Sequence, residues 1–304
     1  MSAPTLINSH SPAHAATPLT RRRRRPAELL FRTGLQLCLL IAFAALAALL
    51  TWVLVKGWNR LDARLWQNMP TGLTSRLNTA GVQSALTGTL WIISLTAVIC
   101  LPIGILSAIY LEEYADNSRW YNRLLELNIQ NLAGVPSIIF GILGLGIVAR
   151  ALGLGFSVIT AAIALSLLVL PVVIIATREA IRAVPQSIRH ASYALGATTW
   201  QTISRQVLPA AVPGIATGSV LALSRAIGEA APLLVLGAAT FITFNPSSLT
   251  DGYTALPIQI YTFIGRPQAE YTELAAAAIV LLLAIVLAMN SIAIFLRNRF
   301  EKRW

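Results

Sequence analysis

The sequence predicts an all-α integral membrane protein with six transmembrane helices. Three observations carry that prediction: 56% of its 304 residues are hydrophobic, only 12% are charged, and the apolar residues fall in long uninterrupted runs. The charge content is about half that of an ordinary soluble domain. A hydrocarbon core about 30 Å thick takes roughly 20 helical residues, and runs of that length lie near 35–55, 84–110, 132–152, 157–177, 207–238 and 274–296.

Taken in order, residues 1–33 read as a disordered basic cytoplasmic tail. Its first 20 positions are rich in Ser, Ala, Pro and Thr, with His10 and His14 among them, and five arginines follow at 21–25. The first span, with an outer loop, occupies 34–80. An arginine run before an apolar stretch is also how a signal peptide begins, but this stretch is about twice the usual apolar core and runs unbroken into Trp52 and Trp58, so it reads as a retained anchor. Residues 81–297 hold the remaining five spans, and 298–304 form a short C-terminus. The second and fifth spans are long enough to tilt or kink, with Pro102 and Pro213 as the kink points.

The formal charge of +11 is explained by topology. Sixteen of the 23 basic residues fall in the N-terminal tail, the second-to-third and fourth-to-fifth connections and the C-terminus, whereas six lie in the alternate connections and Arg225 lies inside the fifth span. By the positive-inside rule both termini of a multi-pass membrane protein are cytoplasmic, and nucleic acid is not needed as a partner. Cys38 and Cys100 sit in separate apolar runs without metal-ligand spacing. Neither of the two lysines belongs to a GxxxxGK[ST] loop, so the chain has no phosphate loop of its own. No Ser/His/Asp set, metal cluster or paired carboxylate points to an enzyme.

One polar stretch interrupts the apolar pattern. "ASYALGATTWQTISRQVLP", residues 191–209, lies in the connection between spans four and five. Pro185 suits the first turn of a helix on whose face Ile188, Ala191 and Leu195 recur. Gly196 suits a left-handed stop. Thr198 and Gln201 have the spacing of a capping box for a second short helix, whose Trp200, Ile203 and Val207 share a face, and Pro209 marks the start of the next span. Such a hairpin either lies on lipid headgroups or docks a soluble partner. A DNA-binding helix-turn-helix is disfavoured by the membrane spans on both sides.

The residues of this hairpin carry a resemblance. With "EAI" at 179–181 upstream, Gly196, and Leu208–Pro209, the stretch 179–209 resembles the coupling motif of ABC-importer permeases. "IYLEEYA" (109–115), "NIQNLAGVPSIIFGILGLG" (128–146), "LSRAIGEAAPLL" (223–234), "ALPIQIYTF" (255–263) and "NRFEKRW" (298–304) are similar, more narrowly, to permeases of bacterial phosphate importers. The resemblance covers most of the chain beyond residue 80. It implies a type I importer permease with a cytoplasmic coupling helix and phosphate as the substrate. It also implies as partners a second homologous permease subunit, an ATPase dimer and an extracytoplasmic phosphate-binding protein, with membrane lipid around the chain. No cofactor is expected here, because ATP would be bound by the partner ATPase. The expected docking residues are Ala191, Ala194, Gly196, Thr198, Trp200 and Ile203.

Arg225 and Glu229 are the most informative ionisable residues, since charges at membrane depth normally face a protein interior or an aqueous path. Spaced i and i+4, they share a helix face. The resemblance puts them in the translocation path, with Arg225 as a forked donor to an oxyanion and Glu229 tuning it. The competing expectation is a structural bridge to the partner permease. Arg178 and Arg182 obey the positive-inside bias and are candidates for a cytoplasmic mouth. The small residues of "GILGLG" and at 214 and 218 are expected to serve close helix packing. Residues 239–273 are expected to form a turn and then a short helix at the outer surface. The alternative functions are an ABC permease for phosphonate, sulfate or molybdate, an ion-coupled secondary transporter, and a structural or sensory membrane protein. A secondary transporter usually shows internal repeats and membrane carboxylates for coupling, whereas here Glu229 is the one membrane carboxylate and no repeat is evident.

Overall fold

The computed structural model describes residues 26–116, 118–238 and 242–300, and every regular element among them is helical. Residues 1–25 of the expected tail, including the arginines at 21–25, and the last four residues lie outside the described residues, whereas 26–33, expected to be disordered, are the helical start of α1. The chain divides into two compact units, residues 1–50 and 51–304. The described part of the first is most of α1 (Pro26–Gly57), a continuous apolar helix.

In the second unit, α2 (Ala63–Gln67) precedes α3 (Gln83–Ile109), α4 (Trp120–Ala133), α5 (Ser137–Leu143) and α6 (Val158–Arg182). The hairpin helix α7 (Gln186–Ala194) leads to α8 (Thr199–Thr202) and α9 (Leu208–Gly228). Beyond them come α10 (Ala231–Val235), α11 (Leu256–Ile264) and α12 (Ala269–Phe300). The core is a bundle in which α3 packs on α6, α6 on α9 and α9 on α12. Small residues set the separation of α6 and α9. A Cβ on Gly218 would stand 2.6 Å from that of Ala176, and one on Gly214 would stand 2.8 Å from that of Ala180, so neither position admits a side chain without parting the helices.

Among the described residues, five helices are long and apolar enough to cross a membrane, and a sixth span is present only if a bent pair is counted as one. The expected third span, 132–152, covers only the junction and second limb of that pair. Trp120–Ala133 and Ser137–Ala151 meet at 106°. Gly134 ends α4, and Pro136, with an extended ψ of 135°, starts α5 in a new direction. Proline lacks the N–H needed to continue the ladder and disfavours helical backbone in the residue before it. α4 is amphipathic, carrying Asn122, Arg123, Glu126 and Asn128, while the apolar second limb is too short to span a bilayer alone.

Two further expectations are corrected. The fifth helix stops at Gly228 rather than continuing to 238, and α10 follows a break at Glu229 and Ala230. The expected outer-surface helix, α11, is sunk into the bundle instead: Leu256, Ile258, Gln259 and Phe263 are fully buried, because its apolar residues lie on nearly every side and α12 and α3 pack on it. Pro102 and Pro213 lie inside α3 and α9, whereas the wide π turns fall elsewhere, at Tyr110–Tyr114, Gly144–Ala151 and Ile203–Val207.

Candidate functional site: a docking hairpin and a mid-bundle ion pair

The hairpin forms largely as its residues dictate. α7 starts after Pro185 and ends at Ala194, and two residues on, Gly196 takes a φ of +80°, the left-handed conformation that glycine adopts without a Cβ penalty. The turn is closed by the Gly196 N–H donating to Tyr193 O at 2.9 Å and the Ala197 N–H donating to Ser192 O at 3.2 Å. Thr198 and Gln201 make the reciprocal capping box: the Gln201 N–H donates to Thr198 Oγ1 at 3.3 Å and the Thr198 N–H donates to Gln201 Oε1 at 2.9 Å. Ser192 and Thr202 hydroxyls, 2.8 Å apart, tie the two arms together.

The second short helix, α8, opens at the capping box as expected but runs on through a π turn into α9. The chain runs from Thr199 to Gly228 as one candidate span. Pro209 does not interrupt it, because the preceding π turn, Ile203–Val207, widens the spacing where proline would otherwise meet the carbonyl four residues back. The shared face expected of Trp200, Ile203 and Val207 also divides. Ile203 and Val207 are fully buried with Ile109, Ile181 and Val184, so Ile203 belongs to the core and takes no part in a docking surface. Trp200 lies a turn beyond that cluster and is exposed. Ala191, Ala194, Gly196 and Thr198 are exposed as well, and Leu195 is 89% exposed. A groove of about 550 Å³ runs between the arms, lined by residues that include Ala191, Leu195, Gln201 and Arg205. The "EAI" segment lies apart from this surface, in the last turns of α6.

Charges at the foot of the hairpin are paired. Arg178 donates to Glu112 at 3.3 Å and to Glu126 at 3.0 Å; Arg182 donates to Glu112 at 2.9 Å and to Glu179 at 3.3 Å. Arg189 meets Glu113 at 2.7 Å, with the two side chains only 8% and 7% exposed. The positive charge assigned to a mouth at Arg178 and Arg182 is therefore matched by carboxylates. Four of the chain's 12 acidic residues gather here. The importance of Glu112, Glu113, Glu126 and Arg189 escapes a reading of spacing, since the bonded partners are 52 to 76 residues apart for every pair but Arg182–Glu179.

Arg225 and Glu229 do meet: Arg225 Nε donates to Glu229 Oε1 at 3.4 Å. The helix has ended by then, and Glu229 is its cap, with an extended ψ of 101°. The guanidinium is 63% exposed on the surface of this chain, while the carboxylate is mostly covered. The depth is that of the bundle's middle, because Ala226 and Ile227 pack with Ile93, Cys100, Val169 and Val173, which come from the central turns of α3 and α6. Ser224 donates to Asn290 Oδ1 at 2.8 Å, or accepts from its amide, fixing this end of α9 against α12.

Comparison with known proteins agrees with this architecture. Residues 100–304 match the family described as the binding-protein-dependent transport system inner membrane component. The chain is 35% identical over 285 residues to the phosphate transport system permease protein PstA 1 of Mycobacterium tuberculosis (strain ATCC 25618 / H37Rv), covering 92% of this chain and 90% of that one. It is 35% identical over 285 residues to the phosphate transport system permease protein PstA of Yersinia pestis, covering 91% of this chain and 94% of that one. Among solved structures, a chain of the inward-facing MetNI methionine ABC transporter aligns with a TM-score of 0.57 at 19% identity, covering 72% of this chain and 97% of that one. A chain of a bacterial alginate ABC transporter also gives 0.57 at 19%, covering 86% and 95%. At these identities the likeness shows the fold, that of ABC importer permeases.

Proposed function

The chain belongs to the family of binding-protein-dependent transport system inner membrane components, and from that premise we propose that it is the permease subunit of an ATP-driven importer carrying inorganic phosphate into the cytoplasm. Curated relatives that span about nine-tenths of the chain are phosphate transport permeases. The hairpin faces the cytoplasm, with both termini on that side, and a partner ATPase dimer that binds the ATP grips the surface of Ala191, Ala194, Gly196, Thr198 and Trp200. Phosphate crosses between this chain and a second permease of similar design, delivered by an extracytoplasmic phosphate-binding protein.

Arg225 carries the reading of the site. An exposed guanidinium at mid-bundle depth is costly against lipid, so it faces either an aqueous path or the second permease. Its single bond to Glu229 leaves most of its five N–H donors available for the oxygens of an oxyanion. Glu229 holds the fork in place and offsets part of its charge between substrates.

The test is uptake of radiolabelled phosphate into liposomes holding the chain with its partner permease and ATPase, with binding protein and ATP supplied. Arg225→Gln is expected to cut uptake roughly 10- to 150-fold, as befits losing a charged hydrogen-bonding group. Arg225→Lys retains the charge without the fork and falls between. Uptake independent of ATP would overturn the importer assignment. Inhibition by excess sulfate or phosphonate would change the cargo and leave the machine.

A further inference from the structure

Arg189 belongs to the exposed hairpin by sequence and to the interior by structure. Besides Glu113, its guanidinium reaches two carbonyls at the end of α6, donating to Val184 O at 2.8 Å and Ile181 O at 3.1 Å. Those carbonyls lie at a helix terminus, which favours a cation, and Ile181 O also accepts the Val184 N–H at 3.2 Å. One side chain of α7 therefore binds the end of α6 and the extension of α3 together. The π turn Tyr110–Tyr114 carries α3 far enough to do this, and it presents two adjacent carboxylates to different partners: Glu112 to Arg178 and Arg182, Glu113 to Arg189. Beneath the pair, Ile109, Ile181, Val184, Ile203, Val207 and Ala211 form one apolar cluster from α3, the α6 end and the α8–α9 helix.

A knob held only by its chain ends would push α6 and α9 directly and reach α3 only through their packing on it. We propose that Arg189 and Glu113 are a positioning pair that carries displacement of the hairpin into α3, so that the ATPase moves α3, α6 and α9 as one body. This rests on the hairpin being the ATPase docking surface. The chemistry of the pair favours a positioning role. Burying two charges costs enough desolvation that well-packed apolar residues often serve stability as well or better, whereas a fork fixed on a carboxylate and two carbonyls sets orientation.

The experiment reads phosphate moved per ATP hydrolysed in the same liposomes. The double variant Arg189→Met with Glu113→Leu removes both charges and keeps apolar volume, and Glu113→Gln keeps shape and one acceptor oxygen. Expected is ATP hydrolysis near the wild-type rate, an unchanged melting temperature for the double variant, and a fall of ~10-fold in phosphate per ATP, within the usual range of couplings between sites. Glu113→Gln should show a smaller fall in the same ratio. A wild-type ratio in both variants would overturn the inference, and so would uptake and hydrolysis falling together at a constant ratio. Should the double variant fail to assemble, the ratio for Glu113→Gln decides. If the wild-type complex itself moves phosphate without ATP, the docking reading fails first and takes this inference with it.

Discussion

At the foot of the hairpin, three arginines meet four carboxylates within 3.3 Å, and the innermost pair is shielded from solvent on every side. At the end of α9, Arg225 faces Glu229 alone among the described residues, at 3.4 Å, with most of its guanidinium uncovered. Both places concentrate ionisable groups in an apolar chain, yet one spends its charges on its own chain and the other keeps a cation largely unspent. The difference separates holding from handling. A saturated network fixes elements relative to one another, whereas a half-satisfied arginine has donors left for something that passes.

The comparison breaks most visibly in stability. Arg189→Met strands a buried Glu113 carboxylate, a change expected to cost about 3–5 kcal/mol, with the wild-type melting temperature restored when Glu113→Leu is added. Arg225→Met removes an exposed partner and should cost no more than about 1 kcal/mol, with uptake lost nonetheless. Melting of the purified protein in detergent checks both. Equal destabilisation at the two sites would mean that Arg225 is also structural.

A smaller effect sharpens the hairpin half. Gly196 is held at φ +80° with no neighbouring atom near the position of a Cβ, so only backbone strain resists substitution. Gly196→Val is expected to cost about 1–2 kcal/mol. It should weaken ATPase binding, measured by co-purification, more than it lowers the melting temperature, because the strained turn also shapes the groove between the arms. Loss of both in proportion would place the turn among purely structural features.

How far the sequence could be read depends on the range of the interaction. Thr198, Gln201 and Gly196 act within a few residues of themselves, and the capping box and left-handed turn are there as the local chemistry requires. The bend of 106° was also signalled locally, by Gly134 and Pro136, but the apolar run through 132–152 masks it, since hydropathy averages over the break. Ile203 shows a further gap: periodicity groups it with Trp200, and only the packing of α3 and α6 decides which of the two is covered. Glu113 and Arg189, 76 residues apart, share no spacing at all, so nothing short of the tertiary fold brings them together. For the Arg225 and Glu229 site, the spacing foretold the contact and missed the helix end between them.

The smallest expected effect lies at the opposite end of α6 and shows what a carboxylate does when its partners are all backbone and hydroxyl. Asp251 Oδ2 accepts the Ser247 N–H at 2.8 Å and the Ser248 N–H at 2.9 Å, and the serine hydroxyls donate to the same carboxylate. These bonds favour the charged form and pull its pKa down to about 2 from 3.8. The loop so folded supplies Asp251 O and Leu249 O as acceptors for the Val158 and Ile159 N–H groups, which open α6. Because the folded pKa is the lower one, the carboxylate's contribution is complete above about pH 4 and is lost as the pH falls through about 2. Pepsin, active across that window, should cut near the exposed Phe244 and Leu249 slowly at pH 4 and faster at pH 2. Asp251→Asn should remove most of the difference by being cut fast at both, while the melting temperature at neutral pH moves little. A loop cut equally slowly at both values in the wild type would show that the backbone bonds hold it without the charge, unlike the foot of the hairpin, where carboxylates fix the elements relative to one another.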